Sequence, residues 1–310
     1  MRIGLVVEQF DPVRGGKEQW SAQFASKLLE RGHEVHVVAS HFGDQVCTMP
    51  IVPHRLEGVR TQVEFARAAE RTLRGLSLDV IHDTGAGWYC DVLQPHGGSR
   101  PALVEHNLLA LARWLRPLKR AVDRCLPRYR RFEAVMSRQY VNDGRILLAL
   151  SKQTQADFQR IHGVAAEQIR LGYNGVDPAR FSPEHRGRHR QTVRRWLGVD
   201  DDTLLLLIVA HNFALKGVPV ALKAMGRLAH QRRPVHLAVV GGKRLRRYER
   251  MAARLGASSS VTFTGTVGDT VPFYAAADVY VHPTFHDSCS LVVLEALASG
   301  LPVITSRLNG

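Results

Sequence analysis

The sequence predicts an α/β protein of two domains, each built on a parallel sheet covered by helices. Three observations carry this. Short continuous apolar runs alternate with helical patterns along the chain, as expected of sheets buried on both faces. The alternation breaks at a polar, proline-bearing stretch, 177–190 (DPARFSPEHRGRHR), and then restarts. The length of 310 residues corresponds to about two domains at roughly 100–200 residues each.

In the first domain the expected strands are 2–7 (RIGLVV), 34–39 (EVHVVA), 79–82 (DVIH), 90–94 (CDVLQ) and 146–150 (ILLAL). A helix is expected over 17–31, where Trp20, Phe24 and Leu28 recur every four residues. In the second domain the runs are 203–210 (TLLLLIVA), 235–240 (VHLAVV), 261–264 (VTFT), 278–282 (DVYVH) and 302–305 (PVIT). The expected boundaries are 1–175 for the first domain, 176–190 for a linker and 191–310 for the second domain.

Composition narrows the class. Hydrophobic residues at 45% and charged residues at 23% describe a globular chain and exclude disordered and fibrous ones. The net charge is +14, which points to an anionic partner: nucleic acid, an acidic membrane surface or a phosphorylated substrate. Cys47, Cys90, Cys125 and Cys289 are widely spaced, as reduced thiols of a cytoplasmic protein would be. The opening MRIGLVVEQF is too short for a signal peptide, and the longest apolar run, 204–210, is too short for a membrane span.

Ligands of open α/β sheets lie outside the carboxyl ends of the strands. After the first strand, Arg14-Gly15-Gly16-Lys17 opens a helix, either as a phosphate-binding loop or as a tight turn needing positive φ. The G-x-G-x-x-G fingerprint is missing there, which argues against a nicotinamide enzyme. After 203–210 comes Lys216-Gly217, where a lysine can neutralise charge building on a leaving diphosphate, or can simply face solvent. After 278–282 comes Asp287, and then the amides of Ser288, Cys289, Ser290 and Leu291 at a second helix start. Asp287 and Glu295 are eight residues apart. That is about 80° off a common helix face, so they are no glycosidase pair across one bond. Glu295 can accept from ribose hydroxyls, or compensate helix charge. Asp200-Asp201-Asp202 is expected as the turn before a strand. The histidines show no metal-ligand spacing, and no nucleophile elbow occurs.

The second half resembles the retaining GT-B glycosyltransferases of family 4. The resemblance rests on SKQTQADF (Ser151 to Phe158), YNGVDPARF (Tyr173 to Phe181), Lys216-Gly217, ADVYVHP (Ala277 to Pro283) and LEALASGLPV (Leu294 to Val303). The first half fits more loosely, through Gly15-Gly16, RGHEV (Arg31 to Val35) and PHGG (Pro95 to Gly98). Within the family the chain is most similar to the lipopolysaccharide core glucosyltransferases that act on a heptose.

The resemblance implies two Rossmann-like domains, a nucleotide-sugar donor such as UDP-glucose, retention of configuration and no required metal or cofactor. It implies that Lys216 binds the donor diphosphate and Glu295 the ribose. Gly15, Gly16 and the amides of Ser288 to Leu291 would hold phosphate or sugar. His96 would sit near the transferred sugar and Val267 near the base. Two departures stand out. The family's E-x7-E motif reads Asp287-x7-Glu295, and Ser290 replaces a usual glycine. The family normally continues past the last strand found here, so the second domain is expected to be incomplete.

Half of the net charge lies between Arg113 and Arg138, where nine basic residues face two acidic ones. Leu111, Trp114, Leu115, Leu118, Val122 and Leu126 share a helical face, with Arg113, Arg116, Lys119, Arg120 and Arg124 beside it. Pro117 and Pro127 are expected to kink or divide the helix. Such a segment reads as a membrane-surface element at the inner face of the cytoplasmic membrane, near a glycolipid acceptor. The alternatives are a helix packed on its domain with a solvated basic face, and an RNA-binding stripe, which lacks the interleaved aromatics it needs. The function expected is hexosyl transfer to a saccharide acceptor. A nucleotide-sugar epimerase or sugar-phosphate synthase on the same fold, and an inactive membrane-associated binding module, are the competing readings.

Overall fold

The computed structural model describes residues 1–109, 111–228, 234–242 and 245–310, with Arg124 and Arg128 described by backbone alone. It divides into two compact units, Met1–Tyr173 and Asn174–Gly310.

The first unit opens with β1 (Arg2–Val6), β2 (Gln9–Phe10), α1 (Gly16–Glu30), β3 (Glu34–Ala39) and β4 (His41–Phe42). It continues through β5 (Val52–Arg55), α2 (Gln62–Arg74), β6 (Val80–Asp83), β7 (Val92–Leu93) and α3 (Arg100–Leu109). It closes with α4 (Arg116–Cys125), α5 (Pro127–Gln139), β8 (Ile146–Ala149), α6 (Lys152–His162) and β9 (Ile169–Leu171). The main sheet has the order β5-β3-β1-β6-β7-β8-β9, and every pairing is parallel. Successive β1 residues serve opposite faces. Leu5 packs with Ala25 of α1, and Val6 packs with Phe65 and Leu73 of α2. Local signals fix the helix ends. Thr61 and Glu64 form a reciprocal capping box on α2. Gly163 ends α6 in the left-handed region at φ 66°.

The second unit runs α7 (His185–Leu197), β10 (Leu204–Val209), α8 (Val218–Leu228), β11 (Val235–Val240) and α9 (Leu245–Arg254). Then come β12 (Val261–Gly265), α10 (Val271–Ala276), β13 (Val279–His282), α11 (Leu291–Ala298) and β14 (Val303–Thr305). Its sheet is parallel in the order β12-β11-β10-β13-β14.

The stretch 176–190, expected as a linker, is built into this second unit. Phe181 is buried in its core, and α7 begins at His185. The polar look of α7 has a physical cause. Arg194 is fully buried; its guanidinium reaches Asp278 Oδ2 at 3.1 Å and the carbonyls of Asp200 and Thr203, both at 2.5 Å. Arg186 and Arg190 pair with the other oxygen of Asp278 at 3.0 and 2.9 Å. Asp200 to Asp202 form the turn before β10, as expected.

Candidate functional site

In an open parallel sheet the ligand crevice lies outside the carboxyl ends of the strands where the order reverses. In the second unit this is at β10 and β13. Two loops leave the sheet there, and they are locked together. Gly217 has φ +77°, and a Cβ on it would lie 1.9 Å from the carbonyl oxygen of Pro283, so only glycine fits. The Phe285 amide donates to the Leu215 carbonyl at 2.8 Å, and Thr284 Oγ1 donates to the same oxygen at 3.2 Å.

This lock brings Lys216 onto Asp287. Lys216 Nζ lies 2.5 Å from Asp287 Oδ2 and 3.4 Å from the His286 carbonyl oxygen. His282 Nε2 lies 3.2 Å from the same carboxylate oxygen, and Ser290 Oγ lies 3.4 Å from that nitrogen. Burial alone would raise the Asp287 pKa. The hydrogen bond from His282 and the Lys216 ammonium outweigh burial and hold the carboxyl well below its usual range. Asp287 is therefore a fixed anion, and among the described residues Lys216 uses two of its three N–H donors.

The chain then enters α11, whose N-cap Ser290 makes no side-chain cap, so its hydroxyl does not occupy the first-turn amides. Ser288, Cys289 and Ser290 are buried, and the Cys289 carbonyl accepts from Asn174 Nδ2 at 2.9 Å. Glu295, on the second turn of α11, accepts from Tyr274 OH at 2.8 Å. Burial raises the Glu295 pKa against the Tyr274 hydrogen bond and the Arg180 charge. Val267 packs against the hydrophobic core of this unit.

The corresponding end of the first unit carries Gly15 and His96. Gly15 is extended, at φ 175° and ψ 178°, so the positive φ considered for a tight turn is not present. Its carbonyl accepts the first helical bond of α1 from the Gln19 amide at 2.9 Å, and Gly16 is the first residue of the helix. His96 packs on Trp20, with ring centroids 4.4 Å apart. Burial, then the charges of Lys17 and His82, push the His96 pKa down to about 3. Its Nε2 is buried with no hydrogen-bond partner.

The basic segment forms a short helical turn, Arg113–Leu115, followed by α4 and α5. Pro117 and Pro127 stand in the first turns of α4 and α5, where a missing N–H costs nothing, so they start helices instead of kinking one. Trp114, Leu118 and Val122 are 76%, 62% and 48% exposed, while Leu111, Leu115 and Leu126 are half-buried. The expected apolar face is thus split. Arg116 is bound to the carbonyls of Leu109 and Leu111, and Lys119 pairs with Asp123. Arg113 and Arg120 face solvent, and the side chain of Arg124 lies outside the described residues. No helix among the described residues is long and apolar enough to cross a membrane.

Three site residues have no role assigned from sequence: His282 and Asn174, which lie within the motifs ADVYVHP and YNGVDPARF, and Tyr274. A signal for the first existed. Strand alternation puts Tyr280 and His282 on one face of β13, and their rings stack with centroids 6.1 Å apart.

The model of Glycosyltransferase Family 4 matches residues 14–180, and that of Glycosyl transferases group 1 matches residues 203–310. The chain is 32% identical over 190 residues to lipopolysaccharide glucosyltransferase WaaG of Escherichia coli. That match covers 60% of this chain and 50% of the relative, about half of its length. A D-inositol 3-phosphate glycosyltransferase of Pseudarthrobacter chlorophenolicus is 30% identical over 96% of this chain and 75% of its own. The crystal structure of WaaG superposes with a TM-score of 0.82 at 25% identity, covering 99% of this chain and 82% of that one.

Proposed function

The chain belongs to the GT-B glycosyltransferases of family 4, and from that premise we propose that it is a retaining hexosyltransferase. Its donor is a nucleotide diphosphate sugar, UDP-glucose in the reading favoured here. Its acceptor is a saccharide on a surface glycolipid such as the lipopolysaccharide core. The observation that carries this is the placement of Lys216, Asp287 and the start of α11 together where the second sheet reverses its order. Lys216 offers its remaining N–H to the diphosphate, and the first amides of α11 add partial positive charge. Both act most strongly as charge builds on the leaving phosphate, which favours the transition state over the ground state.

Asp287 positions Lys216 before the donor enters and presents its second oxygen to donor-sugar hydroxyls. Glu295, steadied by Tyr274, receives the ribose hydroxyls. Lys216 and the first amides of α11 supply the compensating positive charge, so the reaction needs no metal or cofactor in this proposal. In the first unit, the unpartnered His96 nitrogen, the loop at Gly15 and Gly16 and the start of α1 are assigned to sugar and phosphate contacts.

The solvent-facing Trp114, Leu118 and Val122, flanked by Arg113 and Arg120, favour a peripheral position on an anionic membrane face, where a glycolipid acceptor resides. We assign that face to the inner side of the cytoplasmic membrane and assign no nucleic-acid role. A thermal-shift panel of nucleotide sugars tests the donor, because a ligand that binds only the folded state raises apparent stability. UDP-glucose should raise the melting temperature, and product analysis with a heptose-bearing acceptor should give an α-linked glucoside. Epimerised or free sugar phosphate as the product would reject the transferase reading.

A further inference from the structure

We propose that His282 is a positioning residue that holds the Asp287 carboxylate in place while Lys216 turns its charge to the donor diphosphate. This deepens the transferase reading and rests on it for its role, but not for its geometry.

Both Lys216 Nζ and His282 Nε2 reach the same oxygen, Oδ2, at 2.5 and 3.2 Å. An ionised carboxylate only accepts, so the ring nitrogen facing it carries the proton. The other nitrogen, Nδ1, is buried with no partner. That leaves the imidazole as a one-sided donor, and its ring is completely buried. It stands on β13, a rigid strand, whereas Lys216 stands on a loop with a long flexible side chain. A diphosphate entering beside Lys216 competes with Asp287 for the ammonium. Without a second donor, Asp287 would then be a nearly buried carboxylate with its charge uncompensated. With His282 in place the carboxylate keeps one bond, and Oδ1 keeps its direction.

The shortened acid fits this arrangement. Asp287 has one methylene fewer than the glutamate of the family motif, and its backbone is pinned as well. Its amide donates to the Leu308 carbonyl at 3.0 Å, and its carbonyl accepts from the Gly310 amide at 2.9 Å. A short side chain on a pinned backbone has few rotamers, so one fixed donor is enough to set its orientation. The titratable groups around it are Lys216 from the loop after β10, His282 and Tyr280 from β13, and Cys289 from the turn before α11. Burial pushes the tyrosine and the thiol up, so both stay neutral and neither changes the charge beside the carboxylate.

The test compares His282→Gln, whose amide nitrogen reaches the position of Nε2, with His282→Asn, whose amide reaches only that of Nδ1. Long-range ¹H–¹⁵N spectra of the donor-free wild type should show the proton on Nε2 of His282. With UDP-glucose, His282→Asn should lose at least about tenfold in kcat. The loss should fall on kcat, with the KM for UDP-glucose within a few-fold of wild type, because His282 acts on Asp287 and not on the bound donor. His282→Gln should restore kcat toward wild type, and melting temperatures should separate these effects from loss of fold. A proton on Nδ1, or a folded His282→Asn enzyme with wild-type kcat, overturns the proposal. Equal kcat losses in both variants overturn it too. A wild type with the proton on Nε2 but no turnover of any nucleotide sugar would instead reject the transferase reading.

Discussion

Lys216 and Asp287 are 71 residues apart in sequence, yet Nζ and Oδ2 lie 2.5 Å apart. The pair joins the loops that leave β10 and β13, the two strands at which the second sheet reverses its order. Its charges are partly shielded, with side chains 22% and 16% exposed. It therefore behaves more like an internal pair than a surface one, which contributes little.

Replacing Asp287 by Asn should make stability respond to pH differently from wild type. The folded-state pKa of Asp287 is held below its unfolded value. Its contribution is therefore complete above about pH 5 and is lost as pH falls through the folded pKa. Urea denaturation should show Asp287→Asn less stable than wild type by about 1–3 kcal/mol at pH 7. The gap should narrow in acid. A gap that is constant or grows in acid would contradict the charge assignment.

Gly217→Ala should disturb the lock between the two loops. The added methyl would meet the Pro283 carbonyl, and a left-handed backbone adds strain of about 1–3 kcal/mol. A drop in melting temperature together with a loss of activity is expected, because Lys216 is the preceding residue. A fully active and stable Gly217→Ala protein would show that the loops are not held this way.

Arg194→Met should cost about 3–5 kcal/mol, the scale of breaking a buried pair. The carbonyls of Asp200 and Thr203 lose their donor, and Asp278 loses one of its three arginines. Equilibrium denaturation measures this directly. A change below about 1 kcal/mol would mean that solvent replaces the guanidinium without penalty.

Cosedimentation with vesicles of phosphatidylglycerol and phosphatidylcholine tests the exposed face of the basic segment. Trp114→Ala with Leu118→Ser should reduce recovery, and so should Arg113→Glu with Arg120→Glu, at about 1 kcal/mol per cation before screening. Arg116 and Lys119 are poor probes, because both are occupied by partners within the protein. Recovery on neutral vesicles equal to that on anionic ones would reject an electrostatic contribution.

Much of the fold was legible because buried parallel strands are written as apolar runs. The bounds of β3 and β11 match the expected 34–39 and 235–240. β5 (VPHR) was missed because an edge strand with a proline and a single aliphatic residue lacks that signature. β9 was missed because three residues are too few to show a period. The role of 176–190 was hidden for the opposite reason. Its arginines look solvated in sequence, but Arg186, Arg190 and, just beyond, Arg194 converge on Asp278. At the candidate site, local motifs flagged Lys216 and Asp287 separately. Their pairing depends on strand order, which one-dimensional spacing does not encode; strand alternation places His282 on the face of Tyr280, but its contact with Asp287 follows only from the fold.

The role proposed for Lys216 on the leaving diphosphate is tested most directly by the kcat/KM of Lys216→Ala with UDP-glucose and a heptose-bearing acceptor, measured beside its melting temperature. A loss of about 10²–10³-fold is expected, the scale of removing one preorganised charge-stabilising donor, in a protein that remains folded. Turnover by a folded Lys216→Ala enzyme within a few-fold of wild type would contradict it.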